Sequence, residues 1–128
     1  DQIISTGYAG AARGAANCID IGVCPRQAAG IPRGERYELC RSVHAEMNAV
    51  IHAARSDMLD STLYLVGIDA NDGSVVEDAR PCRICTRLII NAGIKTVRVL
   101  DRDNIVVTYD VADFVKNEEL DLSKARGY

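Results

Sequence analysis

Apolar and polar positions along this chain alternate between strand-like and helix-like stretches. Residues 2–6, Gln-Ile-Ile-Ser-Thr, are rich in β-branched side chains and predict a strand. Gly7-Tyr8-Ala9-Gly10-Ala11-Ala12-Arg13-Gly14 follows. Its glycines predict a loop whose backbone can approach a ligand closely, although a plain turn reads the same way. The spacing is not that of a dinucleotide or Walker loop. Residues 15–42 carry no clear period and hold Cys18, Cys24, Cys40, two prolines and a Gly-Ile-Pro-Arg-Gly-Glu segment. An irregular excursion of that length predicts a functional or metal-stapled loop.

From Val43 to Arg55 the pattern predicts a helix with Ser42 as N-cap and Ala45, Met47, Ala49, Val50, Ala53 and Ala54 on a broad apolar face. Thr62–Ile68 predicts a buried strand and Asn71-Asp72-Gly73 a turn. Pro81 precedes a second helix over Cys82–Asn91, closed by Ala92-Gly93. Ile94–Leu100 predicts another strand, Asn104–Thr108 a short one and Val111–Glu119 a last helix. This order implies an α/β architecture with crossover helices. No internal repeat, linker or low-complexity tract interrupts it.

At 128 residues the chain predicts one domain, and 48 % apolar with 26 % charged residues is the balance of a globular one. The net charge of −3, with no basic stripe, argues against a long nucleic acid as partner. One phosphate on a small ligand stays open, since one or two local arginines suffice for it. The opening residues lack a signal-peptide pattern, and no apolar run approaches the roughly 20 residues of a membrane span. Five cysteines, an odd number, fit thiolates serving a metal in the cytoplasm better than a disulfide scaffold.

The chemistry concentrates at two predicted helix starts, His44-Ala45-Glu46 and Pro81-Cys82-Arg83-Ile84-Cys85. A Cys-x-x-Cys at a helix start turns both sulfurs toward one point, where the helix N-terminus favours thiolate. Two thiolates and one imidazole are three ligands for zinc and leave the fourth tetrahedral position to water, the mark of a catalytic site. Glu46, two residues from His44, can take and redeliver the protons of that water. Taken singly, each feature has a plainer reading. Cys-x-x-Cys is often a redox pair or half a structural zinc site, His44 a helix-start residue, and Glu46 a solvated acid. Together, His-x-Glu followed by Pro-Cys-x-x-Cys is the signature of zinc nucleobase deaminases.

On these residues the chain resembles the deoxycytidylate deaminase branch of the cytidine deaminase superfamily. The likeness runs from about residue 3 to residue 100. It rests on Ile4-Ser5-Thr6-Gly7-Tyr8-Ala9-Gly10, on Cys40-Arg41-Ser42-Val43-His44-Ala45-Glu46-Met47-Asn48-Ala49-Val50 and on Thr62-Leu63-Tyr64-Leu65. Pro81-Cys82-Arg83-Ile84-Cys85 and Leu88-Ile89-Ile90-Asn91-Ala92-Gly93-Ile94 complete it. The resemblance implies a three-layer α/β fold with a mixed sheet, and hydrolytic deamination at C4 of a deoxycytidine nucleotide, dCMP to dUMP plus ammonia. It implies zinc on His44, Cys82 and Cys85, with Glu46 as proton shuttle. It further implies a homo-oligomer with active sites near subunit contacts.

By the same resemblance Gly7, Tyr8 and Gly10 face the sugar and phosphate, the backbone at Ala45 meets the pyrimidine carbonyl, and Arg13 is the nearest cation for a phosphate. A solvated loop arginine is the other reading of Arg13. The family often has Asn where this chain has Ala9, which cannot offer an amide to a sugar hydroxyl. Some relatives carry a structural zinc in the region of Cys18, Cys24 and Cys40. These three could hold a second ion here, or be buried free thiols. His52, two helical turns beyond His44, is expected on a packed or exposed face. Relatives also place a helix and a strand before the first match. The expectation is therefore one domain over residues 1–128 that opens inside a hairpin, with a preceding segment or another chain at the sheet edge.

Two alternatives remain open at this stage. One is deamination of another substrate, such as cytidine, guanine or an adenosine in RNA. The other is a non-catalytic zinc-binding module of the same fold, which would have no need of Glu46. Residues 101–128 are the least informative, with Arg102 and Tyr109 expected at the surface.

Overall fold

The computed structural model describes residues 2–32 and 35–122, the last four by their backbone alone. Arg33 and Gly34, part of the predicted irregular excursion, lie outside the described residues, as do residues 123–128. The contacts divide the chain into two compact units that meet between Ala54 and Arg55.

In the first unit, β1 (Gly10–Ala11) pairs antiparallel with β2 (Ser42–Val43), Gly10 opposite Val43 and Ala11 opposite Ser42. The connection between them is less irregular than its sequence predicts. It winds into α1 (Cys18–Ile21), α2 (Pro25–Ala28) and a 3-10 turn at Tyr37–Leu39. The strand expected at residues 2–6 does not form. A β-branched run becomes a strand only where a neighbour takes its backbone hydrogen bonds, and none of the described residues pairs with this one.

The helix expected from Val43 is α3, Ala45–Ile51, and its N-cap is His44, not Ser42. Ser42 and Val43 are held in the ladder to β1, and His44 stays extended (φ −69°, ψ 153°), so helical dihedrals begin only at Ala45. The predicted continuation to Arg55 also stops early. Ala53 bonds back to Val50 instead of continuing the helical ladder, and a separate turn, α4 (Arg55–Met58), begins the second unit.

The second unit follows its sequence more closely. Its mixed sheet has the order β3 (Thr62–Val66), β4 (Thr96–Leu100), β5 (Val106–Asp110). β3 and β4 run parallel, with Leu63 opposite Val97, and their connection carries α5 (Arg83–Ala92). β5 returns antiparallel to β4 and leads into α6 (Val111–Leu122). Cys85, Ile89 and Ala92 form one buried stripe of α5 at helical spacing, and Val97 and Val99 are the buried positions of β4. Ile94, Val111 and Met58 complete the buried core. β3 differs from expectation: it sits at a sheet edge, its residues alternate in burial, and Tyr64 is 72 % exposed. The Arg98 guanidinium lies 5.9 Å from the centre of the Tyr64 ring. The chain is thus a mixed α/β fold, as its element order implies.

Candidate metal centre

The imidazole part of the centre depends on long-range support. No side chain caps the start of α3. Instead the glycine-rich segment lies directly on the helix. A Cβ built on Gly7 would stand 2.5 Å from both the Ala45 carbonyl oxygen and the Ala49 amide nitrogen, so only glycine fits. The Ser5 hydroxyl donates to the Ala49 carbonyl at 2.7 Å, and the Asn48 amide donates to the Tyr8 carbonyl at 2.9 Å. Gly7, Tyr8, Gly10 and Ala45 therefore lie in the same unit as His44 and Glu46. Arg13 is exposed in the turn after β1, and the Tyr8 side chain is exposed as well. Glu46, in the first turn of α3, is the buried charged side chain among the described residues.

The cysteine part is built locally. Cys82 is the N-cap of α5, and its Sγ accepts the Cys85 backbone N–H at 3.4 Å. Pro81 precedes it and Gly93, at φ +81°, closes the helix. Cys85 falls on the buried stripe of α5 and has no solvent exposure. A groove of about 310 Å³ lies in this unit, with Arg80, Pro81 and Arg83 on its lining together with Tyr109 and Phe114. Tyr109, expected on the surface, thus helps to line a groove, while Arg102 is an exposed partner of Glu77 at 3.5 Å.

His44, Cys82 and Cys85 each offer one ligand atom, and these atoms all lie within 4.8 Å of one another. One imidazole nitrogen and two sulfurs are donors that zinc prefers, and three of them leave a coordination position open. The donor set therefore fits one zinc ion. Cys18, Cys24 and Cys40, half-buried free thiols, form no such group among the described residues, and His52 is exposed.

One feature of the surroundings has no counterpart in the sequence pattern. The Tyr37 ring stands edge-on to the His44 imidazole, with centroids 5.6 Å apart and planes at 86°. The Arg26 guanidinium covers the Tyr37 ring at 4.5 Å. Nearby, the hydrogen bond from Arg36 holds the Glu38 carboxyl below the usual carboxylate range.

A mixed α/β fold with one imidazole, two cysteine sulfurs and a buried carboxyl group two residues from the imidazole fits a zinc protein with an open coordination position. Residues 1–101 match the family described as the cytidine and deoxycytidylate deaminase zinc-binding region, and the chain belongs to that family. Among its relatives is a deoxycytidylate deaminase of Mycobacterium phage D29, 35 % identical over 101 residues that cover 75 % of this chain and 67 % of the phage protein. The deoxycytidylate deaminase of Schizosaccharomyces pombe is 34 % identical over 97 residues, 76 % of this chain. That of Saccharomyces cerevisiae is 35 % identical over 97 residues, 75 % of this chain. The aligned stretch spans 26 % of each yeast protein. No solved structure gives a significant match. No helix among the described residues is long and apolar enough to cross a membrane.

Proposed function

We propose that His44, Cys82 and Cys85 hold one catalytic zinc and that Glu46 is the proton shuttle of a hydrolytic deaminase acting on a deoxycytidine nucleotide, dCMP to dUMP plus ammonia. The observation that carries this reading is the gathering of three zinc-type donor atoms within 4.8 Å. Bound zinc supplies a Lewis acid that lowers the pKa of water. The rest falls to the chain's own side chains. The Glu46 carboxylate accepts a proton from the attacking water and returns it to the ring nitrogen. The same carboxylate then takes the proton left on the oxygen now bonded to C4 and passes it to the amine, so that the C4–N bond breaks, ammonia leaves and the C4 carbonyl forms. Burial of Glu46 keeps competing water from these transfers. The Gly7–Gly10 backbone, seated on α3, borders the sugar, with Arg13 as the cation for its phosphate.

The choice of nucleotide is supported by the names of the phage and yeast relatives. Ammonia release from dCMP, deoxycytidine, cytidine and guanine tests it. The expected result is turnover of dCMP at least about tenfold faster than of any other compound. Preference for an unphosphorylated nucleoside would overturn the nucleotide assignment, and no release from any would sink the enzyme reading. We further propose a cytoplasmic homo-oligomer. The free thiols of Cys18, Cys24 and Cys40 and the exposed Tyr64, Val66 and Ile68 support it. A monomer mass by light scattering would refute the assembly.

A further inference from the structure

The excursion between β1 and β2 has so far no role in the site, although it carries an ordered stack of side chains to the metal centre. Arg26, in α2, donates from Nε to the Glu35 carbonyl and from Nη2 to the Pro32 carbonyl, each at 2.9 Å. These two bonds tie α2 to the chain on both sides of residues 33–34. They also fix the guanidinium over the Tyr37 ring, 4.5 Å from its centre. Arg36, just before Tyr37, adopts the left-handed region at φ +53°, a conformation a non-glycine residue holds only where its surroundings impose it. The reversal there and the 3-10 turn that follows aim the half-buried Tyr37 ring at His44, where the two rings meet edge to face. Edge-to-face pairs are the favoured geometry of aromatic quadrupoles, and a guanidinium on a ring face adds a cation–π attraction.

An imidazole that binds metal must hold its ring plane, because a few tens of degrees of rotation moves the donor lone pair off the ion. His44 lies at the N-cap, half outside the helix, where its ring orientation is set by side-chain contacts and not by the helix backbone. We infer that Tyr37 is a positioning residue for the zinc ligand His44, with Arg26 as the clamp that holds the Tyr37 ring in place. This inference rests on the metal assignment made above. The contact is through the ring, so the Tyr37 hydroxyl is dispensable.

The test uses the full chain with Tyr37→Phe, Tyr37→Leu and Arg26→Ala, circular dichroism serving as the folding control. Three readouts are taken: zinc affinity by chelator competition, the visible spectrum of the cobalt-substituted protein, and the histidine ring resonances of the metal-free protein. The chain has two histidines, so His52→Gln assigns the signals. Tyr37→Phe is expected to leave all three at parental values. Tyr37→Leu keeps bulk but removes the aromatic edge. It is expected to weaken zinc about fivefold to tenfold, to alter the cobalt bands and to move the His44 signals toward those of free imidazole. Arg26→Ala is expected to change the same readouts in the same direction, about twofold in affinity. A folded Tyr37→Leu protein with parental zinc affinity and cobalt spectrum would overturn the inference alone. Unchanged His44 signals would do the same. A parental protein that takes up no zinc overturns the metal assignment and this inference together.

Discussion

The helix start at His44 and the helix start at Cys82 each carry donors of the proposed zinc centre but are made in different ways. At Cys82 the local signals lie between Pro81 and Gly93. A proline precedes the cap, the cap sulfur accepts the Cys85 amide, the buried stripe of α5 fixes the helix rotation, and Gly93 ends it. At His44 the helix has seven residues and no side-chain cap. It starts there because Ser42 and Val43 are bound to β1 and because Gly7 lies on its first turn. Glu46, the proposed proton shuttle, sits at the less self-sufficient start, as functional groups often do on segments that the surrounding fold must hold.

The comparison can be broken most forcefully through chemistry. Glu46→Gln removes the proposed shuttle but none of the proposed metal donors. It is expected to keep one zinc per chain while turnover falls by about a thousandfold. Near-normal turnover would mean the carboxylate is not needed. Cys85→Ala takes a donor from the other helix start and should reduce bound zinc, by atomic absorption, to less than about a tenth of the parental content. Equal zinc content would remove Cys85 from the ligand set.

The next effects are on stability. Gly7→Val puts side-chain atoms into two backbone groups of α3 that cannot move aside, with an expected loss of about 3 kcal/mol in urea unfolding and weaker zinc binding. If it were neutral, α3 would not depend on the glycine segment. Gly93→Ala strains a left-handed C-cap and crowds Leu59, whose side chain can partly yield, so about 1–2 kcal/mol is expected. Asn48→Ala removes one exposed bond to the Tyr8 carbonyl and should cost about 0.5 kcal/mol. A loss from Gly93→Ala larger than that from Gly7→Val would reverse the contrast between the two starts.

What could be read in advance follows the same division. The boundaries of α5 and the existence of β4, β5 and α6 were legible because their signals are local: a proline, a glycine, a β-branched run. The strand at residues 2–6 was misread for the opposite reason. Its composition is strand-like, but a strand is a property of a pair, and the pairing begins only at Gly10. The N-cap was misassigned to Ser42 because a serine before an apolar helix is a good local signal, and the β1–β2 ladder overrides it. β3 reads as buried from its run of Leu, Tyr and Val, whereas burial depends on what covers each face of the sheet. Tyr37 and Arg26 gave no signal, since nothing in spacing marks an aromatic that will meet a histidine through a bend at Arg36.

The sequence by itself determined the family and marked out the candidate donor set and the carboxylate two residues from His44, because these follow from residue types at short fixed spacings. Only the tertiary structure decided where α3 begins, why Gly7 must be glycine and which ring stands against His44. Those depend on hydrogen-bond ladders and side-chain contacts between residues far apart in the chain, and no short-range pattern encodes them.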